Sequence, residues 1–261
     1  METNSESMAT ARKIPWKRIS AEAAMIVVSI LLALWIEAWW ANKEDRKDER
    51  LVLNALVREF RELRTRLDWD KTYNEAIRDS IRELTSAAVG PESTLGDEDI
   101  DRLIADLLWN QGISSWTAPE LTSVISSGDL ALITNFALRH RLGTSLTLLQ
   151  GVRDVKQRDL DFYANWQMPF LVQHTSLAQI LNAIDGAPGR EEWKYDSGRK
   201  IVLKRSVSHA HLLADPVFQN LLLERDILIT DLLTEAFAGL GEDLDETIGL
   251  LEQELGLLPK Q

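Results

Sequence analysis

The sequence predicts an all-α protein in which an N-terminal single transmembrane helix continues into a long amphipathic helix and a C-terminal helical bundle. Three observations carry this. A continuous apolar run lies close to the start, apolar residues recur at steps of three and four through most of the remaining chain, and 200–207 is the only strand candidate. With 261 residues and 45% hydrophobic content, the chain has enough apolar material for the core of one or two domains. The expected division is a short basic segment over 1–22, the transmembrane helix over 23–41, a juxtamembrane amphipathic helix over 42–89, and a bundle over 97–257 packing with it.

The apolar run, AAMIVVSILLALWIEAWWA from Ala23 to Ala41, would cover about 28 Å as a helix, close to the thickness of a hydrocarbon core. Its Ile, Val and Leu residues together favour insertion by roughly 2.4–4.8 kcal/mol. The one acid, Glu37, sits near the end of the run, where a charge costs less than at mid-helix. Trp16 before the run and Trp39 and Trp40 at its end are spaced to place indoles in both interfacial layers. A cleaved signal peptide would need small residues within Trp35–Ala41, and three tryptophans interrupt that stretch, so an uncleaved anchor is expected. The flanking cations tie: Arg12, Lys13, Lys17 and Arg18 precede the run, and Lys43, Arg46, Lys47 and Arg50 follow it. The second set alternates with Glu44, Asp45, Asp48 and Glu49 whereas the first contains no acid, which predicts a cytoplasmic N-terminus and a periplasmic C-terminal domain at the bacterial inner membrane. Glu44–Arg50 itself reads as a solvated turn with i,i+4 pairing.

Leu53, Leu56, Phe60, Leu63 and Leu67 then mark an amphipathic helix, whose register puts Asp70 and Asn74 at seam positions before Ile77, Ile81 and Leu84. Polar residues there fit a bend in a helix packed on its own domain, or register control in a homo-oligomeric coil. Gly90-Pro91 breaks the chain, and Ile100, Leu103, Ile104 and Leu107 begin a shorter helix with Asp97, Glu98 and Asp99 at its positive end. Thr117 is the expected N-cap of a helix with Pro119 in its first turn and Ser126-Ser127-Gly128 as its stop. Thr134 is the expected cap of the next helix, striped by Leu138, Leu142, Leu146, Leu149 and Val152 and limited by Pro169. A helix over 176–184, a polar loop over 185–200 and a final region opening at Asp215-Pro216, bent at Gly239 and Gly241, complete the pattern.

Candidate chemistry is sparse. The net charge of −12 argues against nucleic acid as a partner, and zero cysteines exclude disulfides, thiolate catalysis and cysteine zinc sites. No HExxH, phosphate-binding glycine loop or GxSxG elbow occurs; His209 and His211 lie i,i+2 and share no helical face, and Ser127 has no base nearby in sequence. No catalytic residue, cofactor or metal is therefore expected. Trp69, Trp109, Trp116, Trp166 and Trp193 are read as core packing. Glu37, flanked by Trp35 and Trp39, is the one candidate partner-binding group, against snorkelling or pairing with Lys43.

Three stretches, Ile30–Leu34 running through Trp39 into Lys43-Glu44-Asp45-Arg46, Leu121–Leu130 with its Ser126-Ser127-Gly128, and the closing helix from Asp215-Pro216 to Leu251-Glu252-Gln253-Glu254-Leu255, resemble a family of bacterial single-pass membrane proteins defined only as a domain of unknown function. The resemblance implies an anchored helical protein and no particular activity. The expectation is a membrane-anchored scaffold or interaction protein without catalysis, in contact with the lipid bilayer and with a homo-oligomeric or membrane-protein partner. The alternatives are a ligand-sensing bundle acting through such a partner, or an enzyme with a carboxylate site formed by buried acids in an apolar pocket.

Overall fold

Leucine spacing becomes helix throughout the computed structural model, which describes residues 16–90, 95–108, 116–184 and 206–257, with side chains from Met25 onward in the first helix. Among these residues there is no strand; the candidate strand lies outside them up to residue 205, and 206–209 is coil. The elements are α1 (Trp16–Val89), α2 (Asp97–Leu108), α3 (Pro119–Ser127), α4 (Phe136–Phe162), α5 (Met168–His174), α6 (Leu177–Ile184), α7 (Pro216–Asp231) and α8 (Phe237–Leu255). Short 3-10 turns precede α4 and α7, and π-helical turns join α4 to α5 (Tyr163–Gln167) and α7 to α8 (Leu232–Ala236). The chain divides into two compact units, 1–51 and 52–261. The stretch Glu44–Arg50, expected as a turn, is helical and carries an i,i+3 pair, Arg46–Glu49 at 3.4 Å.

In the second unit, three long helical stretches form the frame: the part of α1 after residue 51, α4–α5, and α7–α8. Arg61 pairs with Glu252, Arg64 with Asp245 and Arg82 with Asp226, so α7–α8 runs antiparallel to α1. Asn135–Glu254, Ser145–Asp243 and Asp159–Arg225 set α7–α8 antiparallel to α4 as well. The seam residues of α1, Leu53, Leu56, Phe60, Leu63, Leu67, Ile77, Ile81 and Leu84, are buried within this unit. That places the seam in an intrachain bundle. Gly241 of α8 allows close approach: a Cβ there would lie 3.3 Å from Leu67 Cδ2.

Several helix boundaries depart from expectation. The α3 N-cap is Ala118, without a side-chain bond, because Glu59 of α1 fills that role in place of Thr117. Asn135 rather than Thr134 caps α4, its Oδ1 accepting from the Leu138 N–H at 3.1 Å. Pro169 does not end the helix. It falls at the start of α5, just after the π turn, where the loosened ladder accommodates the missing N–H and the ring. Gly239 and Gly241 are regular helical positions, and the irregularity expected there is the π turn at Leu232–Ala236. Other boundaries follow expectation: α1 ends at Val89 and α6 at Ile184, Gly128 stops α3 in the left-handed region at φ 85°, and Asp215 caps α7 by accepting from Val217 N–H at 2.7 Å.

Candidate functional site

In the first unit, α1 exposes its apolar residues on every side. Met25, Ile26, Leu31, Trp35 and Trp40 are each at least 60% exposed, and the most apolar eighteen-residue window has mean hydropathy 1.7 with none of it buried. Ser29 spends its hydroxyl on Met25 O at 2.8 Å, which removes a polar group from this surface. At the end of the run, Trp39 and Trp40 meet edge to face, 5.7 Å apart, and Lys43 Nζ lies 5.5 and 5.6 Å from their ring centres. Trp39 and Trp40, two of the three expected interfacial tryptophans, are thus joined by a cation at one level of the helix. Trp16 opens α1, but its side chain lies outside the described residues. Glu37 is exposed, and Lys43 turns toward the indoles rather than toward it.

The second unit contains polar layers that periodicity did not reveal. Asp70, fully buried, accepts from Trp116 Nε1 at 3.1 Å and from Lys156 Nζ at 2.5 Å, and Lys156 lies within 6.0 Å of the Trp116 and Phe237 ring centres. Asn74 donates to the Asp70 carbonyl at 2.7 Å. The polar seam of α1 is therefore built around an intrachain ion pair with a buried carboxylate and a partly buried ammonium. In a second layer, Arg225 Nη1 donates to Leu107 O at 2.6 Å and to Gln167 Oε1 at 2.8 Å, with Asp159 at 3.6 Å from Nε. Gln167 Nε2 and Tyr163 Oη donate to the carbonyls of Leu107 and Leu108, at 2.9 and 2.8 Å. Burial raises the Tyr163 phenol above its ordinary value, against the opposing pull of the Arg225 charge.

Two carboxylates are also pushed up by burial. Glu59 accepts the N–H groups of Glu120 and Leu121 at 2.8 and 2.9 Å, and loss of solvation outweighs the lowering effect of those bonds. Asp243 accepts from Ser145 at 2.6 Å beside Arg141, and burial again prevails. They belong to different interfaces, α1–α3 and α4–α8, and do not share a pocket.

The spacing of His209 suggests a solvent-facing or locally hydrogen-bonded ring; the structure corrects this. His209 is buried, with Nδ1 2.6 Å from Asp101 Oδ1 and Nε2 accepting the Ser176 N–H at 2.9 Å. Since the Ser176 amide can only donate, the ring proton of the neutral histidine sits on Nδ1 and Nε2 is already engaged. This Asp–His pair ties α2 to the start of α6, with Gln179 bridging Asp101 and Val207. Ser127 Oγ donates to Asp129 Oδ2 at 2.7 Å and accepts from the Asp129 N–H at 3.3 Å, as a helix-stop serine does. Among the described residues no group of three His, Asp or Glu side chains could hold a metal ion. Trp116 is core, whereas Trp69 and Trp166 are 39% and 67% exposed, which corrects the reading of them as packing; Trp109 and Trp193 lie outside the described residues.

Two open clefts flank α3. One, of about 340 Å³, is lined by Arg58, Glu59, Glu62, Arg66, Thr117 and Glu120 among others; the second, of about 560 Å³, has Trp116, Pro119, Leu146 and Leu149 as its apolar wall and Arg153 among its polar residues. Fold and site together define an all-helical protein that carries, near its N-terminus, one helix long and apolar enough to cross a membrane. No protein-family model, curated protein or solved structure matches the chain, so no activity is transferred to it from a relative.

Proposed function

We propose that this chain is a membrane-anchored helical scaffold or interaction protein, held in the bacterial inner membrane with its N-terminus in the cytoplasm and its helical unit in the periplasm. The observation that carries the reading is the exposure of α1 over 25–40: a helix apolar on all faces needs an apolar surround, and lipid supplies one. The Trp39–Trp40–Lys43 cluster suits the layer where hydrocarbon meets headgroups. The resemblance to the single-pass family points the same way. Binding is favoured over catalysis because His209, Glu59 and Asp243 each spend their polar atoms on contacts that hold helices together. A partner, whether a second copy or another membrane protein, would be engaged through surfaces outside the core. The ligand-sensing alternative draws on the 560 Å³ cleft between α3 and α4.

Alkaline carbonate washing of membranes tests the anchor, with the chain expected in the pellet; recovery in the supernatant overturns the reading. Orientation is tested with Ser5→Cys and Ser197→Cys, since the chain has no cysteine of its own. A membrane-impermeant thiol reagent on cells with a permeabilised outer membrane should label position 197 before lysis and position 5 only after it. The reverse pattern inverts the topology.

A further inference from the structure

In sequence, the residues after the apolar run alternate in sign, which suggests mutual cancellation. The helix separates them. At 3.6 residues per turn, Lys43, Arg46, Lys47 and Arg50 fall at i, i+3, i+4 and i+7 and form one stripe, while Glu44, Asp45, Asp48 and Glu49 form another roughly 180° away. Trp39 and Trp40 bracket the basic stripe on the same side, and Glu37 falls on the acidic side. The four cations are all exposed, whereas Glu49 is 5% exposed and partnered by Arg46. Lys43 Nζ lies over both indoles, two residues past the end of the apolar run.

We propose that Lys43, Arg46, Lys47 and Arg50, with Trp39 and Trp40, form a one-sided docking stripe for anionic lipid headgroups, which selects the direction in which the anchor tilts. The proposal rests on α1 being the membrane anchor. The headgroup layer is about 5–8 Å thick on each side of the hydrocarbon, so an upright helix would hold Lys43 and Arg46 within it and leave Lys47 and Arg50 beyond. A tilt of about 20°, ordinary for a spanning helix, lowers whichever face leads. Leading with the basic stripe brings Lys47 and Arg50 down to the phosphates and lifts the acids away; leading with the acidic stripe does the opposite. Long Lys and Arg stems can lie along acyl chains while their charged ends reach the interface, and the indoles stack beneath them.

The test reconstitutes the full chain in vesicles of equal phosphatidylcholine and phosphatidylglycerol and reads the association of each spin-labelled lipid by electron paramagnetic resonance. The wild type should favour phosphatidylglycerol by roughly fivefold, the order of one surface cation's contribution, and the preference should shrink with added salt. Combining Lys43→Gln, Arg46→Gln, Lys47→Gln and Arg50→Gln should lower it to the remainder that Arg12, Lys13, Lys17 and Arg18 supply at the other interface, and combining Glu44→Gln, Asp45→Asn and Asp48→Asn should leave or raise it. No preference in the wild type, or equal loss in both variants, overturns the stripe. So does efficient disulfide dimerisation of Lys47→Cys with no lipid preference, which makes the stripe a contact between copies. A carbonate wash of the same vesicles separates the two readings: protein that washes out fails the anchor, and protein that stays without selectivity fails only the stripe.

Discussion

Glu59 shows how one side chain can belong to a helix other than its own. Its carboxylate caps α3 from α1, so Glu59→Ala should cost about 1–2 kcal/mol of stability, and Glu59→Gln, which keeps an acceptor, less. Urea denaturation of the detergent-solubilised chain measures both. Because burial raises Glu59 above 4.5 and Asp243 above 3.8, the folded chain takes up protons at pH values where the unfolded chain is still ionised. Their contribution is fully present below those ordinary values and is lost as pH rises through the raised ones. The wild type should therefore gain on Glu59→Gln and on Asp243→Asn as pH falls through the weakly acidic range; a difference independent of pH contradicts this. At Asp70, truncation to Ala leaves the partly buried Lys156 without its counter-charge, an expected loss somewhat below the roughly 3–5 kcal/mol of a fully buried pair. Asp70→Leu combined with Lys156→Met should cost less than the sum of the single changes, measured by a double-mutant cycle. The sequence placed Asp70 and Asn74 on the seam but could not name Lys156, because the contact spans 86 positions and no local spacing encodes it.

At the scale of elements, the surprises sit at helix ends and joints. The C-terminal carbonyls of α2 are taken by Tyr163, Gln167 and Arg225, which come from other elements and converge only after the bundle has assembled. Glycine behaves according to its backbone. Gly128→Ala should lose about 1 kcal/mol, since its φ of 85° disfavours a Cβ although the space is open, while Gly151→Ala in α4, equally uncrowded and helical, should gain about 0.5–1 kcal/mol. Thermal unfolding followed by circular dichroism should show opposite shifts. Pro169 shows why a breaker rule misled: the rule assumes a regular ladder, and the π turn before it removes the clash. Asn135 and Ala118 displaced the expected threonine caps by a single residue, a margin that depends on where the preceding turn deposits the chain.

For the whole molecule, every buried core residue among those described lies at Leu53 or later, so the helical unit has a core of its own. A chain starting at Asn42 should stay in solution without detergent and keep its helical circular dichroism, while the full chain should require detergent; aggregation of the shorter chain would show that the unit depends on the anchor. Sequence alone was sufficient for the all-α class, the apolar run and its tryptophans, and the leucine seams, because helix periodicity and hydropathy are properties of neighbouring residues. The Asp70–Lys156 and Asp101–His209 pairs and the capping of α3 by Glu59 were decided by tertiary packing. Each joins groups far apart along the chain, and burial gives those groups their strength by removing the water that would otherwise solvate them separately.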